Sequence, residues 1–296
     1  MGGTGTRFVL YGRHGVVAQS TAATAELALG DRGAKLSRLV STVAGLVPRG
    51  STLQGLGIGA SGPVDRRRGV VDNPDTLPGF TGFPLVAGLQ RRLGVPVTID
   101  NDAMVAAIAE QRIGAARKAS RLLMVTLGTG VGVALVVDGK PFRGLHGAHP
   151  EASHISILSG TERCYCGRDG CWEILASRTG LQRLLKPLVP PTVSDRDTIG
   201  HAVKMAHRKD VRHAFVEYGI RVGRGLSVLQ ALYMPDVIVL GGSAAEQFAL
   251  FDAGLRSALP GSAQFGGDVP IRVSILGDVG GAVGAAILAQ ERGGAN

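Results

Sequence analysis

The sequence predicts an α/β protein built as two lobes. Strand-like and helix-like segments alternate along the chain, the pattern of a largely parallel sheet covered by helices. A strand running into a glycine turn and on towards a helix occurs twice, at 54–62 and 237–258, far apart in the sequence. The 296 residues are 45% hydrophobic and 19% charged, enough for one large core or two of ordinary size. With aromatics at 4%, that core must rest on Leu, Val, Ile and Ala.

Each element follows in order. Arg7 to Tyr11 reads as a strand. Between 21 and 47, Leu27, Leu36, Leu39, Val40, Val43 and Leu46 fall at roughly helical spacing. "TLQGLGIGASG" begins as a strand and ends in a glycine turn, and "PLVAGLQRRLG" is an amphipathic helix stopped by Gly94. "VPVTID" is a short buried strand. "NDAMVAAIAEQRIGAA" is an Ala-rich helix with an acid at its start, where the helix dipole favours negative charge. Leu122 to Val137 carries no charge over 16 residues, yet it is too short and too Gly-rich for a membrane helix of about 20 apolar residues. Two adjacent buried strands account for it. Val211 to Tyr233 is a long helix with Phe215, Tyr218, Val222, Leu226 and Leu229 on one face. "DVIVLGGS" is a strand, "AAEQFALFDAGLRSAL" a helix, "IRVSIL" a strand and "VGGAVGAAILAQERG" a closing helix of small residues.

Net charge is +9, but no Lys/Arg-rich tail and no basic residues interleaved with aromatics accompany it. The longest basic run, Arg66–Arg67–Arg68, lies between Asp65 and Gly69 and reads as a solvated turn. Charge without a reading motif excludes nucleic acid as the expected partner. With no signal-peptide pattern and no membrane helix, the expected location is cytoplasmic.

All three cysteines lie in "CYCGRDGC", at Cys164, Cys166 and Cys171. An odd, tightly spaced set speaks against a disulfide framework and for a tetrahedral metal lacking one ligand. His154, ten residues upstream, is the nearest candidate for the fourth, with His146 and His149 competing. The expected metal is a structural Zn²⁺. In "IDNDA", a buried strand ends in two carboxylates flanking an amide, just before a helix. Ligands bind at the carboxyl ends of strands in open α/β sheets. A carboxylate there serves either as a base towards a substrate hydroxyl or, with Asn101, as a plain helix cap. "GIGASG" fits a dinucleotide fingerprint only on paper, because Pro63 and a charged turn follow instead of a helix. "LGTGVG" between two strands offers bare backbone N–H groups to phosphate oxygens, or is a simple hairpin turn. No Walker loop occurs, since the one Gly-Lys pair, Gly139–Lys140, is followed by Pro141.

"GASGPVDRRRGVVDNPDTLPGF", "VPVTIDNDAMVAAIAE", "VTLGTGVGVALVVDGKPFRG", "CYCGRDGCWEILAS" and "PDVIVLGGS" stand in one order over nearly the whole chain. Together they resemble the ROK family of bacterial sugar kinases and sugar-responsive repressors. The resemblance implies the two-lobed sugar-kinase and actin-like ATPase fold, of the ribonuclease H-like type, with a zinc-binding loop. The expected lobes are 1–105, with the C-terminal helix 281–296 packed back on it, and 106–280. It implies that Asp102 is the catalytic base and that Asn101, Glu151, His154 and Glu173 hold sugar hydroxyls, with Gly62 and Asn73 lining the pocket. His154 would serve both sugar and zinc. Gly3 and Thr4 look like the first phosphate loop, Gly128, Thr129 and Gly130 like the second, and Gly241 and Gly242 like the adenosine turn. The implied ligands are ATP, Mg²⁺ and a sugar, the implied assembly a homodimer.

Against the family pattern, "GGTGTR" is the loop normally written Asp-x-Gly-Gly-Thr, and Met1 falls on the x. The Asp and its strand would precede Met1, which points either to a start assigned too late or to a shortened chain. The family's Gly-Glu-x-Gly-His is here Pro150-Glu151-Ala152-Ser153-His154, without either glycine, and Met104 replaces a common Asn. The expected activity is phosphorylation of a hexose such as glucose, at the 6-hydroxyl. An amino sugar or a cyclitol is the alternative acceptor, and a non-catalytic sugar-binding sensor the alternative function. A repressor needs a helix-turn-helix ahead of the first phosphate loop, and the sequence starts inside that loop, so a kinase is expected over a repressor.

Overall fold

The structure is a computed structural model that describes residues 1–160, 162–261 and 267–293. The chain begins with a hairpin, β1 (Gly5–Gly12) and β2 (Gly15–Ala23), then α1 (Thr24–Leu27) and α2 (Arg32–Leu46). Next come β3 (Leu56–Ala60), the short strands β4 (Val64–Asp65) and β5 (Val70–Val71), α3 (Leu85–Leu93), β6 (Val97–Asn101) and α4 (Asp102–Arg112). The strands β7 (Arg121–Leu127), β8 (Val131–Val137) and β9 (Lys140–Pro141) follow. After a long irregular stretch come α5 (Trp172–Ala176), α6 (Arg178–Leu185), α7 (Thr198–Lys204) and α8 (Lys209–Tyr233). The chain closes with β10 (Val237–Gly241), α9 (Phe248–Ser257), β11 (Ile271–Val273) and α10 (Gly280–Gly293).

The α/β class is as expected, and Leu122 to Val137 does hold two strands. One sheet has the order β11-β10-β7-β8-β9, with β10 parallel to both β7 and β11. β3 pairs in parallel with β6, and β1 pairs antiparallel with β2. The expected helix over 21–47 is two helices, because Gly30 at φ +75° interrupts it and Asp31 caps the second by accepting from the Ala34 N–H at 2.8 Å. Residues 294–296 of the expected closing helix lie outside the described residues. Among the described residues, no helix is long and apolar enough to cross a membrane.

By internal contacts the chain divides into two compact units: Met1–Ser120 with Ala134–Pro150 and Ile275–Asn296, and Arg121–Val133 with Glu151–Ser274. In the first, Leu36, Leu39 and Val43 of α2 and Leu85 and Leu89 of α3 pack with Ile58 and Ile99 of the sheet. The helix α10 lies flush on the same unit. A Cβ on Gly57 would fall 1.8 Å from the Ala285 carbonyl oxygen, and one on Gly284 would fall 1.7 Å from that of Val105. Only glycine permits so close a backbone approach. In the second unit, Trp172, Phe215, Tyr218, Leu226 and Phe251 are fully buried against the strands β7 and β10. The indole N–H of Trp172 and the hydroxyl of Tyr218 both donate to carbonyls, of Arg221 at 3.1 Å and Ala176 at 2.7 Å, which removes the cost of burying them.

Within the first unit, β1 and β3 are not hydrogen-bonded neighbours. Met1 does reach the end of β3: its amine donates to the Gly59 carbonyl at 2.5 Å, and the Ser61 N–H donates to the Met1 carbonyl at 3.0 Å. That exchange has the pattern of a parallel ladder. Beside it lies a cavity of about 300 Å³ lined by Thr6 and Phe8 of β1, Leu56 and Ile58 of β3, and Leu39 and Val43 of α2. Asp102 stands on its wall. Burial pushes the Met1 amine below its ordinary value of 8.0, against the pull of the Asp102 carboxylate.

Candidate active site and metal centre

The strand β6 is buried at all five positions and carries three polar residues to its carboxyl end, each with a different assignment. Asp100 is fully buried and accepts both guanidinium N–H groups of Arg143, at 2.8 and 2.5 Å. Nε of Arg66 approaches the same carboxylate at 3.2 Å. Arg66 is therefore not part of a solvated turn. It faces a buried anion, while Arg67 and Arg68 are exposed. Asn101 caps α4, its side-chain oxygen accepting from the N–H groups of Ala103 and Met104 at 2.9 and 3.2 Å. The half-buried Asp102 commits Oδ1 to the Ala103 N–H at 2.8 Å. Asp100 thus anchors the turn, Asn101 closes the helix end, and Asp102 retains a carboxylate oxygen for other chemistry.

Arg143 forms most of that anchor. Arg143→Met is expected to cost about 3 kcal/mol, because it leaves a buried carboxylate with Arg66 and the Asn101 N–H but without its two-pronged partner. Arg143→Lys, which keeps the charge but not the two-pronged geometry, is expected to cost less. Urea denaturation measures both, and an unchanged midpoint in Arg143→Met would show that Asp100 is held without Arg143.

Gly62 and Asn73 are joined, since the Asn73 amide donates to the Gly62 carbonyl. The Asn73 side-chain oxygen accepts from the Thr76 N–H at 2.8 Å, so the residue ties two loops of the first unit together. Gly3 and Thr4 also belong to this unit, in the turn entering β1. A Cβ on Gly3 would press on Thr76 at 3.0 Å, and the Thr4 carbonyl accepts from the Thr24 N–H at 3.3 Å.

The second unit gathers the remaining candidates. The side chains of His154, Cys164, Cys166 and Cys171 place their ligand atoms within 4.8 Å of one another. The Cys166 and Cys171 sulfurs are 3.4 Å apart, and the Cys164 sulfur is 3.6 Å from His154 Nδ1. Tetrahedral zinc with bonds of roughly 2.3 Å to sulfur sets sulfurs about 3.8 Å apart, so the donors fit such an ion. His154, rather than His146 or His149, completes the set. Burial pushes the Cys164 thiol up and the Cys171 thiol up to about 12, the latter reinforced by its hydrogen bonds with Cys166 and Cys164. A bound cation would hold the three sulfurs as thiolates. The three cysteines and His154 would hold Zn²⁺, which would cross-link the irregular stretch ahead of α5.

The same stretch carries the polar candidates. The His154 N–H donates to the Glu151 carbonyl at 3.2 Å, and His154 Nε2 lies 3.7 Å from the Glu173 carboxylate. Two residues absent from the sequence-based candidates join them. The buried Ser153 hydroxyl donates to Glu173 Oε2 at 3.0 Å, and the Tyr165 hydroxyl donates to Oε1 at 2.7 Å. Desolvation of that hydroxyl and the neighbouring Glu173 carboxylate hold its ionisation well above the usual phenol range, so Tyr165 stays a neutral donor. The turn Gly128 to Gly130 meets this group, because a Cβ on Gly130 would lie 3.2 Å from the Glu173 carboxyl. The Gly128 carbonyl accepts from the Arg178 N–H at 2.7 Å, and that of Thr129 accepts from the Thr179 hydroxyl at 3.1 Å. Gly241 ends β10, and Gly242 follows at φ +79°, where a Cβ would strike the Leu127 backbone at 2.6 Å. Glycine is required there on both counts.

The sequence profile of the ROK family matches residues 1–292. The chain belongs to the ROK family. Its fold matches a crystal structure of a ROK family glucokinase from Streptomyces griseus in complex with glucose and AMPPNP, at a TM-score of 0.79 and 28% identity, covering 98% of this chain and 97% of that one. A ROK hexokinase from Thermus thermophilus matches at a TM-score of 0.79 and 29% identity, covering 99% and 96%. The glucokinase of Streptomyces coelicolor is 30% identical over 260 residues, covering 82% of each chain. The xylose repressor of Bacillus subtilis is 27% identical over 236 residues, covering 78% of this chain. This ROK protein spans only 55% to 63% of the length of the xylose repressors it matches.

Proposed function

We propose that this ROK protein is an ATP-dependent kinase for a hydroxyl of a hexose-like sugar, glucose being the first candidate and its 6-hydroxyl the acceptor. The observation that carries the reading is the β6–α4 junction. Asp100 anchors it and the side-chain oxygen of Asn101 caps it, which leaves the Asn101 amide N–H groups for a ligand, while Asp102 keeps a carboxylate oxygen beside the strand's carboxyl end. A carboxylate so held can take the proton of an attacking hydroxyl. The sugar oxygen then bonds to the γ-phosphorus, the bond to the β,γ-bridging oxygen breaks, and ADP leaves.

Phosphoryl transfer asks mainly for positioning and charge neutralisation. Asn101, Glu151, His154 and Glu173 hold sugar hydroxyls in this reading, with Gly62 and Asn73 lining the pocket. Gly3, Thr4, Gly128, Thr129 and Gly130 present backbone to phosphates, and Gly241 and Gly242 to the adenosine. Mg²⁺, bound with the triphosphate, supplies neutralisation of its charge. The glucokinase relatives, one of them in complex with glucose and AMPPNP, support this assignment. We also propose a cytoplasmic homodimer. An amino sugar or cyclitol is the alternative acceptor, because Pro150 and Ser153 reshape the loop around Glu151.

Similarity to xylose repressors favours a second reading, a sugar-binding sensor without catalysis. Coupled ADP release with Mg-ATP and a panel of hexoses, amino sugars and cyclitols separates the two. Sugar-dependent release is expected. Sugar binding without release would replace the kinase by the sensor.

A further inference from the structure

The Tyr165 hydroxyl sits between two groups that the sugar reading assigns to substrate. It lies 2.7 Å from Glu173 Oε1 and 3.2 Å from His154 Nε2. A phenol has one hydrogen to give. With that hydrogen on the carboxylate, the contact to His154 needs Nε2–H to donate to the phenol oxygen. The imidazole then carries its lone pair on Nδ1, the atom facing the Cys164 sulfur. A sugar hydroxyl seated at Glu173 and His154 would make the same two bonds, one given and one received. Ser153 meanwhile occupies Oε2, which keeps the carboxylate turned as it is. The Tyr165 ring touches His154 edge-on at 5.2 Å, but the residue is 69% exposed, which leaves it room to swing outward.

We propose that Tyr165 is a specificity-determining residue: its hydroxyl stands in for a substrate hydroxyl at Glu173 and His154, so that a sugar lacking that hydroxyl is still accepted. The inference rests on the sugar reading above. A site that hydrogen-bonds a substrate hydroxyl ordinarily rejects the deoxy analogue, because the partner groups are left unpaired. Here a deoxy sugar leaves Tyr165 in place and both partners satisfied. A fully hydroxylated sugar must displace the phenol first and gains correspondingly little. Discrimination between the two is compressed from both sides.

Tyr165→Phe keeps the ring and removes the stand-in. The test is calorimetric binding of glucose and its 1-, 2-, 3- and 4-deoxy analogues to the zinc-loaded full chain, parent and Tyr165→Phe. In the variant, glucose is expected to bind several-fold tighter and one deoxy analogue weaker, widening that one affinity ratio about tenfold, the worth of one hydrogen bond. Ratios that stay the same for every analogue would overturn the inference, as would a uniform loss of affinity, which would mark Tyr165 as mere support. Failure of every sugar to bind either protein is a distinct result. It would overturn the sugar reading and this inference with it.

Discussion

Asp102→Asn is expected to lower kcat for sugar phosphorylation about a thousandfold, the middle of the range for losing a positioned base. Asparagine keeps an oxygen for the Ala103 N–H that Asp102 now accepts, so the turn into α4 should survive. Sugar affinity is expected to stay within a few-fold, since an amide still accepts a hydrogen bond from a hydroxyl but cannot carry off its proton. Coupled ADP release at saturating sugar measures the first effect and calorimetry the second. Asn101→Ala provides the contrast. It removes the cap of α4 and is expected to cost about 1 kcal/mol of stability. If Asp102→Asn retained full turnover, Asp102 would not be the base and the kinase mechanism would need another acceptor for the proton.

Metal removal should have the largest effect on stability. The four candidate ligands run from His154 to Cys171, and the described residues between them have little regular structure, anchored by bonds such as that of the Ile157 N–H to the Gly170 carbonyl. A bound ion at a thousand times its dissociation constant stabilises by about 4 kcal/mol. At roughly 2–4 °C per kcal/mol, chelation is then expected to lower the Tm by about 8–16 °C. Because Glu151, His154 and Glu173 belong to or flank the same stretch, sugar binding should be lost together with the metal. Differential scanning calorimetry with and without chelator, alongside metal analysis, tests this. Cys171→Ser should reproduce it without chelator, and an unchanged Tm in the metal-depleted protein would sink the structural role.

What the sequence could show was whatever neighbouring residues encode. The run Leu122–Val137, the strand-to-helix passage at Val97–Arg112 and the cysteine loop were legible because hydrophobic period, cap chemistry and ligand spacing are local signals. The strand β2 was missed for the same reason. Its residues have no consistently buried face, so no apolar alternation marks them. The short helices α5 and α7 offer too few turns for a period to emerge.

The site divides along the same line. Asp102, Asn101, His154 and the cysteines announce themselves by type and place. Spacing already put His154 ahead of His146 and His149, and the folded loop brings its Nδ1 to within 3.6 Å of the Cys164 sulfur. Arg66 and Arg143 lie 34 and 43 residues from Asp100, and nothing in either neighbourhood marks them as partners of a buried carboxylate. Burial decides that pairing, because an anion removed from water must find a cation wherever the fold supplies one. Ser153 and Tyr165 stand inside recognisable motifs, yet their hydroxyls gain a role only where folding aims both at Glu173. Composition and period thus determined the class of fold and placed two carboxylates and an amide at the end of β6. Tertiary packing alone decided which distant polar groups complete it, since the cost of an unpaired buried group is felt only once the chain has closed around it.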